Sequence, residues 1–178
     1  MDDEQQYRDA GMASAASTPM KSDDLCLIAQ EIAEATPEFF AKKGPGTGDH
    51  AAVKFQRSLR DLAREVFGYD YSERAVCKAA GFRFDFFFPE EAVAVELAFG
   101  LHNPTSEFER DILKCLLAIE DGCVIRKLML IGKPGAIARL NAPAPKAIMA
   151  LVGKRFNLAV EVLELRNHSL QRGRQTHY

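Results

Sequence analysis

Apolar positions recur along this chain with two different periods, and each change of period marks an element. Leu25, Ile28, Ala29 and Ile32 follow helical spacing. They predict a first helix to about Ala35, capped by Ser22 or Asp23 and stopped by Pro37. A second helix is predicted over about Ala51 to Phe67, with Phe55, Leu59, Leu62 and Val66 on one side and Lys54, Arg57, Arg60 and Arg64 on the other. The period then shortens to two. After a short apolar segment, Arg74 to Ala79, the stretch "FRFDFFFPEEAVAVELAFG", 82–100, reads as a hairpin. Phe82, Phe84, Phe86 and Phe88 share one face of its first strand, and Arg83, Asp85 and Phe87 share the other. On the second strand Val93, Val95, Leu97 and Phe99 alternate with Ala92, Ala94, Glu96 and Ala98.

Helical spacing returns from about Thr105 to Glu120, with a core face of Phe108, Ile112, Cys115 and Ile119 and a polar stripe of Glu107, Arg110, Asp111 and Lys114. A strand over 123–131, a helix near 144–155 and a strand over 158–165 complete the pattern. Helix, helix, hairpin, helix, strand, helix, strand predicts an α/β fold whose mixed central sheet is flanked by helices on both faces. One domain over 23–165 accounts for all of these elements. The polar, aperiodic residues 1–22 and 166–178 are expected to be mobile ends.

Composition narrows the function classes. With 47% apolar residues in 178 the chain can bury a sizeable core, and 23 basic against 25 acidic side chains exclude a bulk polycation. Any nucleic-acid contact must come from a local patch, and Arg57, Arg60 and Arg64 form one, with "KRF" at Lys154–Phe156 as an addition. As a purely solvated face, that stripe would pair locally, for instance Arg57 with Asp61. Cys26, Cys77, Cys115 and Cys123 have no metal-ligand spacing and sit among apolar residues, so reduced thiols in a cytoplasmic protein are expected. Neither a secretory leader nor a membrane span is predicted. The glycines at 44, 46 and 48 lack the ending of a phosphate-binding Walker loop.

The hairpin holds the chemistry. If Pro89 to Ala92 form its connection, Phe88 faces Val93, Phe86 faces Val95 and Phe84 faces Leu97, which puts Asp85 across from Glu96. Cross-strand Cβ atoms lie about 5 Å apart, so two such carboxylates must hold a proton or share a cation. The small Ala94 and Ala98 leave room for one. Carboxylate pairs of this kind suit Mg²⁺, which takes one or two and keeps its waters for a substrate phosphate. A purely structural arrangement would instead pair Asp85 with Arg83 or another nearby cation and leave Glu96 exposed on an uncovered sheet face.

An Asp on one strand, "VAVELAFG" on the next, the helix "SEFERDILKCLLAIEDG" and the strand "VIRKLMLIG" together resemble the PD-(D/E)XK nuclease superfamily. Residues 82–132 are similar to the active-site region of type II restriction endonucleases of the BamHI and BglII group. The resemblance implies a restriction-endonuclease-like sheet and a Mg²⁺-dependent endonuclease, of restriction or repair type, that hydrolyses DNA as a homodimer. Mn²⁺ would substitute for Mg²⁺. Asp85 and Glu96 would be the metal-binding acids. The family's third group, two residues after the second acid, is Ala98 here. Lys114 on the following helix is the first candidate to replace it, as in relatives that carry the lysine there, and Arg83 is the second; on a purely solvated stripe Lys114 would instead be an i,i+3 partner of Asp111 or a neighbour of the turn of Glu107. Glu65 would supply a further carboxylate, and His102 and Asn103 follow the second strand as turn formers or substrate contacts. The alternative is a catalytically impaired module of the same fold that binds nucleic acid or a protein.

Overall fold

The computed structural model describes residues 20–41, 50–76, 81–99 and 104–167. The glycine-rich segment up to Asp49, Cys77, His102, Asn103 and nearly all of both predicted mobile ends lie outside them.

Helix α1 (Lys21–Ala35) begins where its apolar stripe begins, but neither Ser22 nor Asp23 caps it. The carboxylate of Glu91 does so from the hairpin turn, accepting the amides of Lys21 (2.6 Å) and Ser22 (3.1 Å). Pro37 ends the helix as predicted and opens a 3₁₀ turn, Pro37–Phe40. Helix α2 (His50–Phe67) buries Ala51, Phe55, Leu59 and Ala63. Leu62 is half-buried against the same core, and Val66 is exposed rather than part of it.

Strands β1 (Ser72–Ala75), β2 (Arg83–Phe88) and β3 (Val93–Ala98) pair antiparallel, and β4 (Lys127–Gly132) and β5 (Ala159–Glu164) extend the sheet in parallel, in the order β1-β2-β3-β4-β5. Parallel neighbours need long crossovers. Helix α3 (Pro104–Glu120) is the first, and the short α4 (Ala136–Leu140) with α5 (Pro143–Phe156) forms the second. The predicted strand from 123 is shorter than the pattern suggested. Gly122, at φ +90°, turns the chain out of α3, and the amides of Arg126 and Lys127 both donate to the Ala92 carbonyl before the ladder starts. The five residues of α4 are too few to show a helical period.

Helices cover both faces of this mixed sheet. On one side α1, the 3₁₀ turn and α2 pack Leu25, Phe39, Phe55 and Leu59 on Phe86, Phe88, Val95 and Ile131. On the other, α3, α4 and α5 pack Phe108, Ile112, Leu140 and Val152 on Phe87, Ala94, Leu128 and Leu130. Phe82 lies ahead of β2, and Phe84, Phe86 and Phe88 within it do not share a single face as the pattern predicted. Phe86 and Phe88 belong to the α1/α2 side, while Phe84 packs with Phe87 on the α3 side, their rings 6.1 Å apart. The register with β1 is the same before and after this point, so no residue is inserted; the strand rotates about Asp85.

Candidate active site

The hairpin register is the predicted one as far as it runs, Phe88 with Val93 and Phe86 with Val95. Pairing stops there, one residue before Asp85 would meet Glu96. The ladder to β1 likewise joins Ser72 to Phe86 and Arg74 to Phe84 but leaves out Glu73 and Asp85 between them. Asp85 thus lies in a gap on both of its sides, and its carboxylate replaces the missing backbone bonds. Oδ2 accepts the amide of Leu97 (2.9 Å), and Oδ1 accepts from Gln56 Nε2 (2.9 Å) and Arg60 Nη2 (3.3 Å) of α2.

Glu96 is served from the opposite side of the sheet. Its Oε1 accepts Lys114 Nζ of α3 at 2.7 Å, and the same ammonium lies 3.1 Å from Asp111 Oδ1. The two acids therefore do not project side by side from one face, as the strand pattern had predicted. They meet through the strand gap, where Asp85 holds the amide next to Glu96.

Burial controls the electrostatics. Glu96 is 4% exposed. Desolvation, with the charges of Asp111 and Asp85, pushes its pKa up to about 9 against the opposing bond from Lys114. Asp111, 3% exposed, is likewise raised by burial. For Lys114 desolvation acts downward, but the bond to Glu96 and the charges of both acids outweigh it and hold the ammonium above its usual range. Although Lys114 is close, Asp111 Oδ1 is buried without a well-formed hydrogen bond.

The predicted residues separate into those the fold gathers and those it does not. Asp85, Glu96 and Lys114 come together, with Lys114 bonded to Glu96, two residues before the buried Ala98 where the third group was missing. Arg83 is exposed and donates to the Glu73 carbonyl (3.3 Å), away from Ala98. Glu65 is exposed, and five residues on from Arg60 it lies about 140° around α2 from the side that reaches Asp85. Of the arginine stripe, Arg57 is exposed and Arg64 pairs with Asp61 (3.5 Å), while Arg60 turns inward to Asp85 and Glu73. The pairing of Arg57 with Asp61 is thus made by Arg64 instead.

Gln56 and Glu73 were missed as site residues. Gln56 precedes Arg60 by one helical turn and could have been found as the same-face neighbour of a singled-out cation. Asp111, expected as an i,i+3 partner of Lys114 on a solvated stripe, is that partner at 3.1 Å, but buried.

Among the described residues, no three His, Cys, Asp or Glu side chains gather closely enough to hold a metal ion by themselves. Asp85 and Glu96 are oxygen donors of the type a hard cation takes, but their side-chain partners lie on opposite sides of the sheet, Gln56 and Arg60 of α2 for Asp85 and Lys114 of α3 for Glu96. No helix among the described residues is long and apolar enough to cross a membrane. Comparison with protein-family models, with curated proteins and with solved structures returned no match to this chain.

Proposed function

We propose that the chain is a metal-dependent endonuclease of restriction-endonuclease-like fold that hydrolyses DNA phosphodiester bonds. The observation that carries the reading is Lys114 Nζ at 2.7 Å from Glu96 Oε1. Because of that contact, Ala98 does not leave the site without a cationic group. The topology agrees: an antiparallel hairpin bearing both acids leads through a helical crossover into a parallel strand.

Asp85 and Glu96 would hold the Mg²⁺ or Mn²⁺, which when bound polarises the scissile phosphate and lowers the pKa of a water. Lys114, fixed between Glu96 and Asp111, presents a positive charge where the phosphate gains negative charge. Arg57 and Arg64 remain on the outer surface of α2 to track the backbone. Cutting both strands would require a homodimer, and free thiols at Cys26, Cys115 and Cys123 agree with a cytoplasmic setting.

The test is cleavage of supercoiled and linear DNA by the full chain with Mg²⁺ or Mn²⁺. Asp85→Ala, Glu96→Ala and Lys114→Ala should each lower the rate about 100-fold or more. Cleavage that survives all three substitutions overturns the assignment. DNA binding without cleavage in either metal would indicate a non-catalytic module.

A further inference from the structure

Arg60 occupies a position that the proposed reaction does not explain. Its Nη2 reaches two carboxylates at once, pairing with Glu73 and lying 3.3 Å from Asp85 Oδ1, while its Nε is buried without a hydrogen-bond partner. Glu73, the other holder, sits at φ +50° in an edge strand, a left-handed conformation that a non-glycine residue adopts only when its surroundings enforce it. Strain in Glu73 and an unpartnered donor in Arg60 fall at the one level of β2 where both ladders open.

A guanidinium and a divalent cation repel each other strongly when they share one carboxylate in a partly buried setting. Asp85, whose side chain is 18% exposed, therefore cannot keep Arg60 and also bind a metal at full strength. Glu73 offers a place to retain the arginine, because it already accepts from Nη2 and its side chain is 43% exposed. Arg57 and Arg64, one turn to either side of Arg60 on α2, extend a cationic line outward from the same point.

We infer that Arg60 exchanges partners during substrate binding: it is the counter-ion of Asp85 while no metal is bound, and once a divalent cation takes Asp85 it pivots on Glu73 and donates to a substrate phosphate. The inference rests on the nuclease reading above and adds a residue and an order of events to it. The planar fork of arginine suits the role, since it can hold Glu73 with one edge and a phosphate oxygen with another.

The exchange predicts opposite signs for two measurements on one variant. In Arg60→Ala, Mn²⁺ should bind about 10-fold tighter by calorimetry or electron paramagnetic resonance, because the competing cation is gone. The KM for DNA cleavage should rise about 10-fold, because a phosphate contact is lost. Arg60→Gln should give the same signs with a polar group of similar length, and is the variant to use if Arg60→Ala melts early. Lys146→Ala, an exposed charge removed from α5, controls for net charge and should leave Mn²⁺ affinity unchanged.

Mn²⁺ affinity equal to or weaker than that of the parent in both Arg60 variants, with Asp85→Ala still abolishing binding, overturns the exchange and leaves the nuclease reading standing. Mn²⁺ binding that is insensitive to Asp85→Ala and Glu96→Ala overturns that reading itself. No binding by any of these proteins overturns both.

Discussion

Lys114 Nζ meets Glu96 Oε1 at 2.7 Å although the two residues are 18 positions apart and belong to a helix and a strand. This contact, closed on its other side by Asp111 at 3.1 Å, makes a mostly buried group of two acids and one cation. Its protonation must be linked to folding. The carboxyl of Glu96 is raised to about 9, so the native state keeps a proton that the unfolded chain gives up near 4.5. Between those values the native state binds more protons, and stability falls as pH rises. Urea unfolding should therefore show a decline across pH 5 to 9 of up to about 1.4 kcal/mol per pH unit from this group. Glu96→Gln should remove most of the slope, and an unchanged slope would place the proton elsewhere.

Asp111 is subject to the same logic, with Lys114 opposing the shift without cancelling it. Burial favours its neutral form, so the charged form weakens the fold at every pH above its ordinary carboxylate range. Asp111→Asn keeps the shape and removes the charge. At pH 8 it should raise stability by about 1 kcal/mol, an advantage that shrinks toward pH 4, while DNA cleavage falls because Lys114 loses one of its two holders. Melting curves at the two pH values and one cleavage assay separate these effects. A variant that is both less stable and fully active would show that Asp111 serves packing alone.

How much of this was legible in the sequence depends on whether the information is local. The period-two run through Phe88 and Val93 set the hairpin register, and the helical stripe Phe108, Ile112, Cys115 placed α3 against the sheet, because both patterns record which side is buried. Phe84 was assigned to the wrong face because alternation assumes an even strand, and β2 rotates where Asp85 takes backbone donors in place of a ladder. That rotation also put the partners of the two acids on opposite sides of the sheet. Lys114 could be picked out as a cation on the right helix. Its contact with Glu96, the recruitment of Gln56 and Arg60 to Asp85, and the pairing of Arg60 with Glu73 depend on how elements distant in the chain pack.

The start of α1 shows the same limit and gives a contrasting pair of variants. A serine just before a helical stripe reads as its cap, yet Ser22 is fully buried with its hydroxyl unpartnered, and the amides are taken by Glu91 some seventy positions later. A carboxylate at a helix N-terminus both satisfies free amides and opposes the helix dipole. Glu91→Ala should cost about 1 to 2 kcal/mol by chemical denaturation. Ser22→Ala should be neutral or mildly stabilising, since it removes a buried hydroxyl that bonds to nothing. A loss in Ser22→Ala equal to that in Glu91→Ala would restore the serine as the cap.

Gly132 closes the sheet against the second crossover at the end of β4, where its partner on β3 is Ala98. A Cβ on Gly132 would lie 2.5 Å from the Cβ of Ala136, far inside contact distance, and 3.6 Å from the Ala98 carbonyl oxygen. The obstacle is the first residue of α4, a short helix whose Gly135 and Ile137 amides are held by Glu164 at 2.9 and 3.1 Å, so it cannot retreat without breaking those bonds. Gly132→Ala should therefore destabilise the fold by about 1 to 3 kcal/mol through overpacking. Adding Ala136→Gly should recover most of that loss, because it removes the other half of the clash. A double variant no more stable than Gly132→Ala alone would mean that the glycine answers to the approach of Ala98 rather than to α4.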